Sequence, residues 1–74
     1  MEALIEICRI TINKQRVEED HVQEFVELFE AGRKLPPITV RKITVDEYRL
    51  VDGRHRLEAQ RRLGRSQVLA RITL

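Results

Sequence analysis

Residues 5–12 alternate apolar side chains with polar ones or a cysteine. Four isoleucines carry the pattern, with polar residues or a cysteine between them: Ile5, Ile7, Ile10 and Ile12. A period of two is typical of a half-buried strand, so this segment predicts the first strand of the domain. The alternation slips once between Ile7 and Ile10, and the slip indicates either a bulge or a break in the strand.

A helical period follows from residue 20 onward. Apolar side chains recur at the spacing that places them on one face of a helix: Val22, Phe25, Val26 and Phe29. Asp20 and Gln23 fit a capping box, so the sequence predicts a helix with Asp20 as its N-cap. Gly32 stands where a left-handed residue is expected to end this helix.

The second half of the chain alternates strands with one more helix. The sequence predicts an extended segment at residues 35–38, strands at Ile38 to about Ile43, Arg49–Val51 and Val68–Leu74, and a helix from about Arg54 to Leu63 with Gly64 as its stop signal. The order β-α-β-β-α-β predicts a small mixed α+β (α/β) domain. A ferredoxin-like split unit has the same order, so the pattern does not distinguish it.

Length and composition restrict the class of protein. The 74 residues predict a single domain, and 42% hydrophobic with 35% charged residues excludes disorder and low complexity. No apolar run approaches the ~18 residues that a membrane span needs and no signal peptide is visible, so we expect a cytoplasmic protein without a membrane partner. The lone cysteine, Cys8, excludes an internal disulfide, and with two histidines no dedicated metal site is expected.

Charge is distributed unevenly behind a net value of +2. Residues 1–30 hold eight acidic and three basic residues, whereas residues 31–74 hold four acidic and eleven basic ones. Eleven of the fourteen bases are arginine, which suits forked contacts with phosphate. The basic half favours an anionic partner such as a nucleotide, phosphate or nucleic acid, although asymmetry alone is more often a solvated surface.

The most informative segment is the junction between the third strand and the second helix, Val51-Asp52-Gly53-Arg54-His55-Arg56. The start of a helix presents unpaired N–H groups and a partial positive charge, and therefore attracts anions. Basic residues are unfavourable there for the helix alone. Three of them in one first turn break a local rule, and such exceptions indicate function more often than accident.

Each residue of this segment also has a purely structural interpretation. Helical geometry points Arg56 inward beside Ala59, so it needs either a bound anion or a carboxylate, such as Asp52 or an acid of the first helix. His55 either bonds a neighbouring carbonyl or binds phosphate. Asp52 either caps the helix or serves as a base or a magnesium ligand. Gly53 either makes a tight turn or lets a phosphate approach the backbone.

These residues carry a resemblance. The stretch Tyr48–Ala59, closing at Leu63-Gly64, resembles the signature of the ParB/sulfiredoxin superfamily. Two more stretches are similar to family patterns: Ile10, Asn13 and Arg16 to its opening Ile-x-x-Asn-x-x-Arg, and Gly32, Pro37, Ile38 and Val40 to its first box. The similarity covers roughly residues 5–73 and implies a single ParB-like amino-terminal domain over residues 1–74.

The partition branch of this superfamily implies nucleotide binding. In partition-type ParB proteins the domain binds and slowly hydrolyses CTP, and the resemblance places two sets of residues at that nucleotide. The four residues from Gly53 to Arg56 occupy the box that holds the triphosphate, and the first box contributes Gly32, Pro37 and Ile38.

Two other branches imply enzymes. The branch that phosphorylates free serine carries a box that Asp52, Gly53, His55 and Arg56 match, and some members are described as ParB-like nucleases. Sulfiredoxins carry their catalytic cysteine at the position of Arg54, so sulfinic acid reductase activity is not expected. In this chain Cys8 lies on the predicted first strand instead.

The predicted function is therefore binding of a nucleotide or phosphate in DNA partition or a related process, with a nuclease or a free-serine type of kinase as the alternative. The ligand is expected to be CTP or ATP/ADP, with Mg²⁺ as an optional ion. Predicted ligand-binding residues are Arg16, Gly32, Pro37, Ile38, Gly53, Arg54, His55 and Arg56. Asp52 and His55 are the candidate catalytic residues, and Asp52 and Glu27 are weaker candidates for metal or proton work.

The partners follow from what partition proteins carry beyond this domain. Those proteins add a helix-turn-helix domain and a dimerisation tail, and this chain stops at Leu74, so any DNA contact is expected to be indirect. Three aromatic residues, two of them on the first helix's apolar stripe, do not favour a stacking platform for single strands. The small size favours a homodimer.

Overall fold

The computed structural model describes residues 1–12 and 16–73. This part of the chain contains five strands, two α-helices and one 3-10 turn: β1 (Glu2–Glu6), the turn Ile7–Arg9, β2 (Ile10–Thr11), α1 (Glu19–Glu30), β3 (Ile38–Lys42), β4 (Tyr48–Asp52), α2 (Arg54–Arg62) and β5 (Gln67–Thr73). The predicted mixed α+β class is confirmed, and so is the order of its elements.

The predicted first strand is two strands, because the 3-10 turn Ile7–Arg9 interrupts it. The slip in the isoleucine pattern is therefore a break and not a bulge. β1 pairs with β5 in antiparallel fashion, whereas β2 pairs with β4 in parallel. The two halves consequently lie at opposite edges of a five-stranded sheet whose order is β1-β5-β3-β4-β2.

The directions of the strands exclude the ferredoxin-like alternative. β3 runs antiparallel to β4 and parallel to β5. Since β2 is parallel to β4, the two strands that flank each helix run in opposite directions. A split βαβ unit instead joins parallel strands through its helix.

The core lies between one face of the sheet and the helices. It consists of Ile5, Ile10, Ile38, Val40, Leu50, Leu57, Val68 and Ala70. Leu57 is the contribution of α2, and its side chain is fully buried. On the last strand Val68 and Ala70 are buried as the alternation predicts, whereas Leu74 lies outside the described residues.

The two helices are joined by apolar packing and by an ion pair. Val22 of α1 is fully buried, and the rest of the predicted stripe is half-buried. Arg62 of α2 donates two hydrogen bonds of 2.7 Å to the carboxylate of Glu19. These bonds lower the pKa of Glu19 and raise the pKa of Arg62, because each charge stabilises the other.

The glycines end both helices as predicted. Gly32 has φ 76° and donates its N–H to the carbonyl of Phe29, while Arg33 donates to Leu28. Gly64 has φ 78° and repeats the pattern with the carbonyl of Arg61. Both ends thus have the Schellman arrangement, in which a left-handed glycine satisfies the last carbonyls.

The predicted N-cap residues of both helices are wrong, although α2 begins at Arg54 as predicted. α1 begins at Glu19 with Glu18 as its N-cap, so Asp20 lies inside the first turn and forms no capping box. α2 has Gly53 as its N-cap, and Asp52 belongs to β4. Neither N-cap residue bonds the helix through its side chain. The N-cap of α2 lies at Gly53 because the backbone makes a left-handed turn there. At the start of α1, His55 of α2 accepts the N–H of Glu18.

Candidate functional site

The start of α2 opens onto a cavity. The cavity is lined by Phe25 of α1 and by the five successive residues from Asp52 to Arg56. The first hydrogen bond of the helix runs from the N–H of Leu57 to the carbonyl of Gly53. The N–H groups of Arg54, His55 and Arg56 precede that bond and have no acceptor within the helix, so the positive end of its dipole lies at this cavity.

Gly53 is required by its conformation and by its neighbours. Its φ of 102° lies in the left-handed region, which side chains other than glycine's disfavour. A Cβ there would lie 2.8 Å from Cγ2 of Ile38 and 3.1 Å from Nη2 of Arg56. Ile38, a predicted nucleotide-lining residue, is only 1% exposed, so a ligand would meet its backbone and not its side chain.

Arg56 points inward, as helical geometry predicts, and its side chain is 15% exposed. Nη1 donates to the carbonyl oxygens of Pro36 at 2.9 Å and Pro37 at 3.4 Å. Nη2 lies 3.4 Å from Oδ2 of Asp52. The guanidinium therefore ties the segment before β3 to the start of α2, and it has the carboxylate partner that the structural interpretation requires.

Arg54 and Arg16 lie side by side. Nε of Arg54 donates to the carbonyl oxygen of Arg16 at 3.1 Å. Both residues line a second cleft together with Val17, Glu18 and Glu19. No acid of the described residues lies within ion-pair distance of Arg54 in the structure. Its charge is thus available near the uncapped turn.

His55 caps the other helix. Its Nε2 accepts the backbone N–H of Glu18 at 3.1 Å, which satisfies a donor at the start of α1. The His21 ring contacts it edge to face, with 5.1 Å between the ring centroids. Burial lowers the pKa of His55, the charges of Arg54 and His21 lower it further, and Glu18 partly opposes them. Since Nε2 is an acceptor, the proton of the neutral ring is assigned to Nδ1.

Other predicted residues lie elsewhere. Gly32 and Pro37 line a different cavity, beside Pro36 and Gln60. Glu27 is exposed on α1 and does not line the cavity at α2. Asn13 lies outside the described residues. The structure therefore brings Asp52 to Arg56 together, sets Arg16 beside them, and leaves Gly32 and Glu27 apart.

Cys8 lies in the 3-10 turn and not on the predicted continuous strand. It is exposed, and its Sγ contacts Oε2 of Glu6 at 3.6 Å. The cavity that it lines includes Arg61 and Arg65 but none of the residues from Asp52 to Arg56. The thiol is thus separate from the start of α2.

Three contributors to the site were not predicted. Phe25 was placed on the apolar stripe of α1, yet it also lines the cavity because α1 packs against α2. The carbonyl of Pro36 and the N–H of Glu18 are backbone groups, and they contact Arg56 and His55. Periodicity carries a signal for Phe25, whereas no side-chain pattern identifies a backbone partner.

The described residues contain no group of three or more histidine, cysteine, aspartate or glutamate side chains that could hold a metal ion. Asp52 is the one carboxylate that lines the cavity at α2 in this part of the chain.

Among residues 1–12 and 16–73, no helix is both long and apolar enough to cross a membrane.

Solved structures of known proteins share this fold. Sulfiredoxin from Arabidopsis thaliana has a TM-score of 0.86 at 21% identity, covering 99% of this chain and 84% of its own. A free serine kinase in complex with AMP has a TM-score of 0.84 at 26% identity, covering 97% and 30%. The chromosome-partitioning protein ParB from Caulobacter crescentus, C-terminally truncated and complexed with CTP-gamma-S, has a TM-score of 0.83 at 23% identity, covering 99% and 44%.

The chain spans most of the sulfiredoxin, but less than half the length of the kinase and of ParB. No curated protein matches the sequence. The family model of the ParB N-terminal domain matches residues 3–74, which is nearly the whole chain. The chain therefore belongs to the ParB N-terminal domain family.

Proposed function

We propose that this domain binds a nucleotide through its phosphate groups at the start of α2. The observation that carries the proposal is the first turn of this helix, whose N–H groups have no side-chain cap and lie at a cavity with Arg54 beside them. Backbone donors, the helix dipole and an unpaired arginine together favour an anion with several oxygens. No neutral ligand needs all three.

The residues at the cavity divide the work. Arg54 is the phosphate ligand, with Arg16 as a second cation at the rim. The N–H groups of the first turn contact phosphate oxygens, and Nδ1–H of a neutral His55 adds one more donor. Arg56 acts chiefly by positioning, because its guanidinium already holds Pro36 and Asp52.

Magnesium fits the cavity in one way. Mg²⁺ in nucleotide sites is usually held by one or two carboxylates, by phosphate oxygens and by water. Asp52 is 76% exposed and borders the cavity, so it would be the protein ligand. Bound magnesium would offset the charge of the phosphates. Gly32 and Pro37, which line a separate cavity beside Pro36, are proposed to contact the remainder of the nucleotide.

CTP is the first candidate ligand, and DNA partition or a related process is the proposed setting. Membership of the ParB N-terminal domain family supports this choice, as does the fold shared with a ParB that binds CTP-gamma-S. Hydrolysis of the bound nucleotide would then depend on positioning and on positive charge.

A kinase is the second candidate, and one observation favours it. The free serine kinase structures with AMP and ADP share 26% identity with this chain. Asp52, Gly53, His55 and Arg56 match the box of that branch. In this case Asp52 would take the proton of the attacking hydroxyl, and His55 would do so only after its Nε2 releases the N–H of Glu18, since its Nδ1 already carries a proton. A nuclease would use the same two residues on water.

The test is thermal stabilisation of the chain by CTP, ATP, ADP, GTP and inorganic phosphate, each with and without Mg²⁺. A ligand at 100 times its Kd adds about 2.7 kcal/mol to the unfolding free energy. Arg54→Met is expected to abolish the shift and leave the unliganded melting temperature nearly unchanged. Arg61→Met, on the same helix but outside the cavity, is the matched control and keeps the shift.

The ligand preference separates the candidates. A shift with CTP alone supports the partition-type function, whereas a preference for ATP or ADP supports the kinase. Turnover that requires metal and fails in Asp52→Ala or His55→Ala supports an enzyme. The absence of a shift with every ligand would overturn nucleotide binding.

A further inference from the structure

The face of the sheet turned away from the helices carries a row of four exposed side chains. Strand pairing places Thr11 opposite Arg49, Arg49 opposite Arg41, and Arg41 opposite Thr73. The row therefore crosses β2, β4, β3 and β5 in one line, with two arginines at its centre. We name these four residues the arginine row.

The two arginines face each other without compensation. Like charges directly opposite on neighbouring strands are destabilising. No described acidic side chain forms an ion pair with Arg41 or Arg49. Glu2, which strand pairing sets opposite Arg71 on this face, is engaged in an ion pair with Arg71. The sheet thus carries a local charge conflict that nothing in the described chain relieves.

An opposite conflict lies on α1. Its outer side carries Asp20, Glu24, Glu27 and Glu30, which we name the acidic stripe, and all four are exposed. They follow each other at spacings of four, three and three residues, where like charges repel. Glu30 also lies at the negative end of the helix, whose last turn has no basic residue. Within the described chain none of the four forms an ion pair.

The two surfaces are opposite in charge and similar in overall length, with two arginines flanked by threonines on the row and four carboxylates on the stripe. Four strands spaced about 4.8 Å apart make the arginine row roughly 14 Å long. Ten residues of helix at about 1.5 Å each make the acidic stripe roughly 15 Å long. A helix laid across the strands would place Glu24 and Glu27, at the centre of the stripe, over Arg49 and Arg41, at the centre of the row.

We infer that the arginine row of one copy binds the acidic stripe of a second copy. One contact then relieves both charge conflicts, whereas a nucleic acid on the row would leave the stripe unrelieved. The two surfaces of each copy differ, so the contact is head-to-tail, and each bound copy leaves both kinds of surface free at the ends. Association is expected to grow with concentration and to disappear in high salt.

The test is sedimentation velocity of the full chain over a range of concentrations. At low ionic strength the weight-average mass should exceed that of one chain, and at about 1 M salt, where the Debye length is about 3 Å, it should not. Arg41→Glu with Arg49→Glu should be monomeric, and so should Glu24→Lys with Glu27→Lys. A mixture of these two variants should associate, because each supplies the charge that the other lacks.

The matched control is Arg33→Glu with Lys34→Glu. It changes the charge by the same amount at the other end of β3, in the segment before the strand, and should associate as the unmodified chain does. Circular dichroism verifies that each variant is folded. If Arg41→Glu with Arg49→Glu does not fold, Arg41→Gln with Arg49→Gln takes its place. Overturning results are a monomeric chain at low salt, or a variant mixture that fails to associate. If the unmodified chain is monomeric and its arginine row binds duplex DNA, the row serves nucleic acid instead.

Discussion

Gly53 meets two independent demands at the start of α2. Its backbone occupies the left-handed region, and the direction of its missing side chain is filled by Ile38 and by the guanidinium of Arg56. Gly64 shares the first demand only, since a Cβ there would meet nothing within 4 Å. Comparing substitutions at the two glycines therefore separates the free-energy cost of a left-handed backbone from the cost of a steric contact.

Gly53→Ala is expected to destabilise the domain more than Gly64→Ala. A left-handed alanine costs about 1–2 kcal/mol at either position. The contact of 2.8 Å with Ile38 adds about 1–3 kcal/mol at Gly53, because a packed core yields little. Urea denaturation of both variants measures the difference. Equal losses of stability would show that the close approach to Ile38 carries no cost.

At the scale of elements, the start of α1 depends on two residues of α2. The N–H of Glu18 at the beginning of α1 is accepted by His55, which lies 37 residues further along the chain in α2. Arg62 then joins α2 to the first turn of α1 through Glu19. The junction of the helices is thus also the junction at which the cavity forms.

The imidazole contact gives stability a pH dependence. The pKa of His55 in the folded chain lies below its ordinary value of 6.5, so protons bind more tightly to the unfolded chain. The contribution of His55 is therefore complete above about pH 6.5 and is lost as the pH falls through its lowered pKa. The protonated ring also cannot accept the N–H of Glu18.

His55→Ala should lower stability by about 0.5–1.5 kcal/mol at pH 8, the contribution of one hydrogen bond. Between pH 7 and about pH 5 the variant should lose less stability than the unmodified chain does. Urea unfolding at each pH measures both, and His21→Ala, which leaves the bond from Glu18 in place, is the control. If the unfolding free energy of His55→Ala depended on pH as that of the unmodified chain does, His55 would not be the source of the pH dependence.

Local patterns predicted the elements, but not what holds their starts. Alternation and the helical period depend on neighbouring residues, and so do the glycines that end both helices. The prediction of Asp20 as the N-cap of α1 was wrong. The N-cap is Glu18, and its N–H is accepted by His55 of α2, a distant residue that no local pattern identifies. Likewise, the run from Asp52 to Arg56 was visible in the sequence since it is contiguous. The carbonyl of Pro36 and the place of Phe25 follow from packing, which no local pattern contains.

Across the whole molecule, stability should be graded from the centre of the sheet outward. β3 is the middle strand and pairs on both sides, with β4 and with β5. β2 is an edge strand of two residues. Local unfolding costs the least free energy in segments that have few buried contacts and pair with a neighbouring strand on one side only.

Native-state hydrogen exchange should therefore show the slowest amides in β3, with the central residues of β5 close behind. The amides of β2 should exchange fastest among the strands. Nuclear magnetic resonance resolves these rates one residue at a time. If β2 were as protected as β3, the sheet would open only by complete unfolding.

Because the first strand is broken, one short segment of the chain forms both edge strands of the sheet. Residues 2–6 cover β5 on one side, and residues 10–11 cover β4 on the other. If this stretch detached, two rows of unpaired backbone groups would become available at the same moment, one on each flank. Strands of other molecules could then pair with both exposed edges, so a fibril could grow from either edge. Residues 2–11 therefore protect both edges of the sheet against misassembly.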